Sequence, residues 1–338
     1  MRGDVSIDAD TIFAPLVGRE KLGLAVSGGP DSLALMLLAA RWAKPHDVAL
    51  FVYSVDHGLR PEAADEALMV KREAERLGLS ARILRWEAPK PAAGIQEAAR
   101  TARYRLMAEA MARDGVELLL TAHHLGDQAE TVLMRMAHGS GIDGLRGMDR
   151  LSYVEGCEIC RPLLDLHPDM LRAVVDEAGL RPAQDPSNDD TDYERVRWRQ
   201  ALPALEALGL TRERLGALAR RMGDASSLIA AGVEDDLPRL VGWRADGAAE
   251  LSHGRFAALN PLVAAALLGQ VLQSVSGDRR PPPLGALESL QMRLRSCAPL
   301  RNTTLHGCVI ASDGNTLTVK REPPRRATRK AQEKATSH

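Results

Sequence analysis

Up to about Gly209, short apolar runs alternate with longer amphipathic spans, and each run ends in small or polar residues. Leu22 to Val26 is one such run and Leu33 to Ala40 opens another, with Ser27-Gly28-Gly29-Pro30-Asp31-Ser32 between them. This order predicts a strand, a tight turn and a helix. Val48 to Val55 predicts a second strand, apolar enough for a parallel sheet covered on both faces. Pro61 to Leu77 has helical spacing and is closed by Gly78. Arg82 to Trp86, Ile95 to Asp114 and Val116 to Ala122 then read as strand, helix and strand. A helix over Asp127 to Ala137, a strand over Glu158 to Leu163 and a helix over Pro168 to Ala178 follow. Such alternation predicts an α/β fold, a doubly wound parallel sheet whose ligands lie at the carboxyl ends of its strands.

Past Gly209 the pattern turns helical, over Glu213 to Ala231 and Pro261 to Val275. A Pro281-Pro282-Pro283 break precedes one more helix, and two β-like runs, Asn302 to Ala311 and Thr316 to Lys320, close the region. We therefore expect a catalytic domain over 1–210, a smaller, mainly helical domain over 211–323 and a basic, disordered tail over 324–338. Gly139 to Asp149 carries four glycines and little periodicity, as a mobile loop over a substrate would, or a plain surface connection.

The 338 residues carry a formal net charge of only −1, so a nucleic-acid surface must be a local patch. Arg195 to Arg221 is such a patch, with seven arginines against two glutamates, unless it is simply a solvated helix face. Four cysteines, no leader-like segment and no apolar run near membrane length imply reduced thiols, a cytoplasmic location and no membrane partner.

Candidate chemistry gathers at the predicted strand ends. Gly28 and Gly29 let backbone N–H groups approach a phosphate, Pro30 suits a first helical turn, and Ser27 and Ser32 add hydroxyl donors. The sequence Gly-x-x-x-x-Gly-Lys-Ser/Thr is absent, so a different nucleotide geometry is implied. Asp31 would repel a phosphate unless a divalent cation, Mg²⁺, bridged the two. The second strand ends in Asp56-His57-Gly58-Leu59-Arg60, and the fourth in His123-His124. Asp127 and Glu130, three apart on a helix, share a face and suit an ammonium or a metal. As N-cap and capping-box partner they would need no ligand. Cys157-Glu158-Ile159-Cys160 has ligating spacing, but residues three apart in a strand face opposite sides.

Ser-Gly-Gly-x-Asp-Ser resembles the signature of pyrophosphate-loop ATP pyrophosphatases, a fold of the adenine nucleotide alpha-hydrolase-like type. Val55 to Arg60, Ala99 to Tyr104, His123 to Thr131, Arg161 to Leu164 and Asp185 to Asp190 narrow the resemblance to the tRNA(Ile)-lysidine synthases, over residues 20 to 205. The resemblance implies that ATP is a substrate held by Ser27 to Ser32 with Asp56, His57 and Arg60, and that Mg²⁺ sits on Asp31. It further implies that free lysine is joined to the wobble cytidine of the CAU anticodon of tRNA(Ile) through an adenylated cytidine. His123, Asp127, Glu130 and Asp31 would be catalytic. Arg100, Arg103, Tyr104, Arg195, Arg197 and Arg199 would contact tRNA or substrate, and a homodimer is implied as an option. Gly126 departs from the family's frequent aspartate and Val196 from its asparagine. The alternatives are a pyrophosphate-loop tRNA-thiolation enzyme, an amidating ligase such as NAD synthetase, and a non-catalytic tRNA-binding module.

Overall fold

The computed structural model describes residues 7–91, 93–183 and 190–323. The Asp-x-Ser-Asn stretch, except Asp190, and the basic tail lie outside them. Two compact units emerge: the residues up to Gly139 together with Gly144–Arg221, and Ser140–Asp143 together with the residues from Met222 onward. The division therefore falls at Arg221, not at 210. Gly209 looks like a boundary, but Leu215 and Ala219 beyond it are buried with Ala129, Val132 and Leu202 of the first unit.

In chain order the elements are α1 (Ala9–Phe13), β1 (Lys21–Ala25), α2 (Pro30–His46), β2 (Ala49–Asp56), α3 (Glu62–Arg76), β3 (Ser80–Arg85), α4 (Ile95–Asp114), β4 (Leu118–Leu120), α5 (Leu125–Ala137) and α6 (Ile142–Leu145). β5 (Leu151–Val154), β6 (Cys157–Cys160), α7 (Pro168–Glu177), α8 (Glu194–Ala207) and α9 (Arg212–Leu240) follow. The sheet order is β3-β2-β1-β4-β6-β5, parallel except for β5, which pairs antiparallel to β6 at the edge. Alternation in β4 shows why the sheet must be covered twice. Leu118 and Leu120 join Leu33, Leu35, Trp42 and Val174 in one apolar layer, while Leu119 joins Tyr53, Tyr104 and Met107 in the other. The strand order reverses between β1 and β4, so their carboxyl ends flank the crevice where such sheets bind ligands.

After α9 come β7 (Val241–Trp243), β8 (Ala249–Ser252), α10 (His253–Ala257), α11 (Pro261–Ser276), α12 (Leu284–Leu294), β9 (Leu300–Leu305), β10 (Cys308–Ser312) and β11 (Thr316–Arg321). Helical residues outnumber strand residues here, but the second unit is built on a five-stranded antiparallel sheet, β7-β8-β11-β10-β9. The run Asn302 to Ala311 hides a hairpin: His306 and Gly307 both take positive φ, 53° and 69°, and Leu305 pairs with Cys308. That is the two-residue turn the strand twist favours, without the usual Asn-Gly signal. No helix among the described residues is long and apolar enough to cross a membrane.

Candidate functional site

Gly28 has φ +92°, and a β-carbon there would sit 3.3 to 3.5 Å from Met69, Val70 and Ala183, so the loop after β1 is shaped around a missing side chain. The Gly28 carbonyl accepts from the Ala183 amide at 2.9 Å. Ser32 works inward: its hydroxyl donates to the Gly29 carbonyl at 2.9 Å and accepts from the Ser27 amide at 3.2 Å, with the Ser27 hydroxyl 3.3 Å away. The two serines hold the loop, and the N-terminus of α2, with Pro30 in its first turn, supplies unpaired N–H groups for an anion. Asp31 stands in that turn with its carboxylate partly exposed.

Across the crevice α5 begins at Leu125, two residues earlier than expected, because its N-cap is His124. The His124 Nδ1 accepts from the Gly126 amide at 3.0 Å and the Asp127 amide at 3.3 Å, and Asp127 Oδ2 accepts from the His124 amide at 3.0 Å. Asp127 is thus the far partner of a capping box rather than its N-cap. Nδ1 serves as an acceptor, which places the ring proton on Nε2. That atom lies 3.5 Å from Asp31 Oδ2 and 3.6 Å from Asp127 Oδ2. Burial opposes a charge on His124, yet Asp31, Asp127 and Glu130 outweigh it and lift the pKa above its ordinary value. Burial likewise pushes Asp127 up, but His124, Arg195 and His123 hold its carboxyl below the usual range.

Glu130 is only 2% exposed and is not a capping residue. Its Oε2 accepts from Arg195 Nε at 2.9 Å and its Oε1 from Arg199 Nε at 2.8 Å. Residues 195 and 199 stand four apart on α8 and reach the same carboxylate, whereas Arg197 turns away to the carbonyls of Thr191 and Asp192, at 2.8 and 2.9 Å. Val196 packs inward, which suits the apolar residue found there. Arg195 also approaches Asp127 at 3.7 Å, so charges alternate from Asp31 through His124, Asp127, Arg195 and Glu130 to Arg199.

His123 lies beside this chain with Nδ1 2.9 Å from the Thr121 hydroxyl. Burial, aided by Arg161, Arg195 and Arg100 against Asp127, pushes its pKa down to about 4, so the ring is neutral at pH 7. Arg161 is buried, donates to the Asp149 carbonyl at 2.7 Å and the Ser152 hydroxyl at 2.8 Å, and contributes to that field. It opens the Arg-Pro-Leu-Leu motif but was given no role in the site from sequence, whereas His124 was expected only as one of a histidine pair at the strand end, without a role of its own.

The other candidates are less gathered. Asp56 accepts from the Gly58 amide at 2.9 Å, Arg60 pairs with Glu66 at 3.1 Å, and His57 meets Trp86 edge-on and accepts from Arg103 Nε at 3.4 Å. Burial, with Arg103 and Lys90, lowers the His57 pKa to about 4. Tyr104 is a buried core ring with Arg100 5.2 Å above it, so its side chain is a platform under a cation rather than an exposed contact. The expected mobile loop is pinned where it meets α5: Arg135 donates to the carbonyls of Gly144 and Gly147 at 2.6 Å, and Gln128 exchanges two bonds with the Met148 backbone. The arginine patch is also largely engaged, with Arg212 on Glu206, Arg214 on the Gly209 carbonyl and Arg220 on Asp165. Cys157 and Cys160 lie in opposite apolar layers, and burial raises the Cys157 thiol to about 11. They cannot chelate one ion, and no cluster of three metal-ligating side chains occurs among the described residues.

Residues 2–205 match the PP-loop domain family. The chain is 43% identical over 340 residues to tRNA(Ile)-lysidine synthase of Bradyrhizobium sp. strain BTAi1, covering 94% of this chain and 95% of that one. Similar matches are the tRNA(Ile)-lysidine synthases of Rhodopseudomonas palustris, 43% identical over 94% and 95%, and of Methylobacterium nodulans, 44% over 90% and 91%. Among solved structures, a U34-tRNA thiolase from Methanococcus maripaludis with its [4Fe-4S] cluster superposes with a TM-score of 0.54 at 17% identity, over 63% of this chain and 77% of that one. That likeness concerns the fold.

Proposed function

The chain belongs to the tRNA(Ile)-lysidine synthase family, and on that premise we propose that it joins free L-lysine to the wobble cytidine of the CAU anticodon of tRNA(Ile), using ATP. The observation that carries the reading is the convergence of Asp31 and Asp127 on one ring nitrogen, His124 Nε2, at 3.5 and 3.6 Å. A nucleotide loop and an acidic pocket thereby share one site.

The loop amides and the N-terminus of α2 receive the polyphosphate. Asp31 would hold Mg²⁺, which takes one or two carboxylates and completes its shell with phosphate oxygens and water; when bound it neutralises phosphate charge. The cytidine O2 attacks the α-phosphate, pyrophosphate leaves, and the oxygen carries AMP. Arg195 and Arg199, held by Glu130, stand ready for negative charge on the phosphoryl group. Glu130 thus has both oxygens committed, so Asp127 is the carboxylate that attracts the lysine ammonium. Lysine's ordinary pKa of about 10.4 means that its ammonium must release one proton to solvent before the amine lone pair can attack, and a second proton once the C–N bond has formed. The nitrogen becomes acidic as it bonds to the base carbon, so Asp127 or the neutral His123 suffices as acceptor. AMP then leaves with the oxygen, and the modified base pairs with A. The anticodon base must be drawn out of its stack, and the second unit is the part of the chain we assign to holding the tRNA. A cytoplasmic location and a homodimer belong to the same proposal; light scattering of the purified chain tests the dimer.

The test is incorporation of labelled lysine into bulk tRNA with ATP and Mg²⁺. Label in RNA, dependent on ATP, is expected. Asp127→Asn, which keeps an oxygen for the capping box, should abolish incorporation with the melting temperature preserved. No label with the wild type refutes the function, and full activity of the variant refutes the role of Asp127.

A further inference from the structure

Arg161 is a buried cation without a matching anion. It is only 5% exposed, and among the described residues no carboxylate pairs with it. The Asp149 carboxylate, whose charge it feels, is taken by Arg146 Nε at 2.9 Å, and Arg100 adds a like charge nearby. Burying a charge uncompensated is costly, so such a group calls for a partner that arrives with the substrates. The guanidinium is also held in one orientation. Nη1 donates to the Asp149 carbonyl and the Ser152 hydroxyl, while Nε is shut away from water without a partner and Nη2 makes no bond among the described residues. Nε and Nη2 form the side-on edge of a guanidinium, the edge with which Arg82 grips Asp114 and Arg280 grips Asp278 in this same chain. Arg161 keeps that edge empty. It stands at the carboxyl end of β6, where the Cys160 carbonyl accepts from the Thr121 amide at 3.0 Å, so it shares the ligand edge of the sheet with His123.

The other charges of the reaction already have seats. Polyphosphate meets the loop and the start of α2, the phosphoryl group meets Arg195 and Arg199, and the ammonium meets Asp127. A free amino acid brings one charge more, its α-carboxylate, which is planar, matches a two-donor edge and is small enough to reach a side chain so little exposed. We propose that Arg161 selects an amino acid over a plain amine: its Nε–Nη2 edge receives the α-carboxylate of the lysine whose ammonium Asp127 attracts. The inference rests on the lysine-ligating reading for the identity of the substrate, and it makes Arg161 a specificity residue at the opposite end of the lysine from the reacting nitrogen.

Cadaverine, which is lysine without its carboxylate, tests it. In the wild type kcat/KM for incorporation into tRNA should favour lysine over cadaverine at least tenfold, as loss of a charge-assisted pair requires. Arg161→Met should bring the two amines within threefold of each other, chiefly through KM for lysine, and Arg161→Lys, which keeps the charge but not the fork, should fall between. A merely structural loss lowers both substrates alike, so a preference that persists in Arg161→Met, or that is missing from the wild type, overturns the proposal. A second measurement needs no active variant. The Arg161 Nε–H resonance of the wild type, identified by its absence from Arg161→Lys, should shift on addition of lysine but not of cadaverine or inorganic phosphate. An equal shift with phosphate, or none with lysine, overturns the proposal. A lysine-specific shift in a chain that labels no tRNA would refute ligation and uphold the carboxylate site, whereas labelling with no shift and an unaltered preference would refute the site alone.

Discussion

Replacing Glu130 by glutamine removes one negative charge from a carboxylate that two guanidinium groups share, and leaves the side-chain shape intact. Two Nε–H bonds of 2.8 and 2.9 Å and a third contact from Arg199 at 3.4 Å end on it. Hydrogen bonds to a charged group contribute roughly 1.5–3 kcal/mol each, and stripping one partner from a fully buried ion pair costs about 3–5 kcal/mol. The arginine side chains are 40% and 44% exposed, however, so water takes over part of their solvation once the carboxylate is gone. A net loss of about 2 kcal/mol is therefore expected, or roughly 4–8 °C in the melting transition of the first unit. Calorimetry of wild type, Glu130→Gln, Arg199→Met and the double variant measures it. Arg199→Met should cost less than Glu130→Gln, because Arg195 still neutralises the carboxylate, and the pair should be less than additive. A transition within 1 °C of wild type for Glu130→Gln, or strict additivity, refutes the shared-carboxylate argument.

Three further outcomes follow from the same geometry. The pKa of His57 falls from about 6.5 in the unfolded chain to about 4 in the folded one, so the unfolded state binds more protons between those values. Its contribution is complete above pH 6.5 and is lost as pH falls through 4; His57→Phe should flatten the slope of unfolding free energy over that window, and an unchanged slope refutes the assignment. Gly147 has φ +70° and a β-carbon there would meet Gln128 Oε1 at 2.5 Å, so Gly147→Ala should destabilise by about 1–3 kcal/mol and expose the segment after α6 to protease, with wild-type cleavage rates as the contrary result. Because Cys157 and Cys160 face opposite layers, anaerobically purified protein should be colourless and free of iron, and the Cys157→Ala/Cys160→Ala variant should keep ATP-dependent lysine incorporation; stoichiometric iron or loss of activity at unchanged stability would revive thiolation chemistry.

Sequence pattern revealed those parts of the fold that local physics determines. Helix α4 runs from Ile95 to Asp114, as its periodicity predicts, because glycines with φ near +67° at 94 and 115 punctuate both ends. The ligand edge was equally legible, since each polar cluster follows an apolar run. Six short elements were not: α1, α6, β5, β7, β8 and α10 have three to five residues apiece, too few to display a period. The start of α5 was misplaced because histidine is not a usual start signal, and the arginine clamp on Glu130 was hidden because its partners lie 65 and 69 residues along the chain. Arg161 illustrates the same limit, for only tertiary structure reveals that a motif arginine is buried beside a neutral histidine.

The bond from the Ala183 amide to the Gly28 carbonyl has a consequence for how this loop tolerates change. It is written entirely in main-chain atoms, so residue 183 can drift among side chains without severing it, and alignment of related chains would display variability at a position that braces the phosphate turn. Proline alone lacks the hydrogen. Ala183→Pro should consequently slacken the turn at Gly28 while neighbouring exchanges at 183 leave it taut, a pattern of intolerance to a single residue type that marks a tether no side chain advertises.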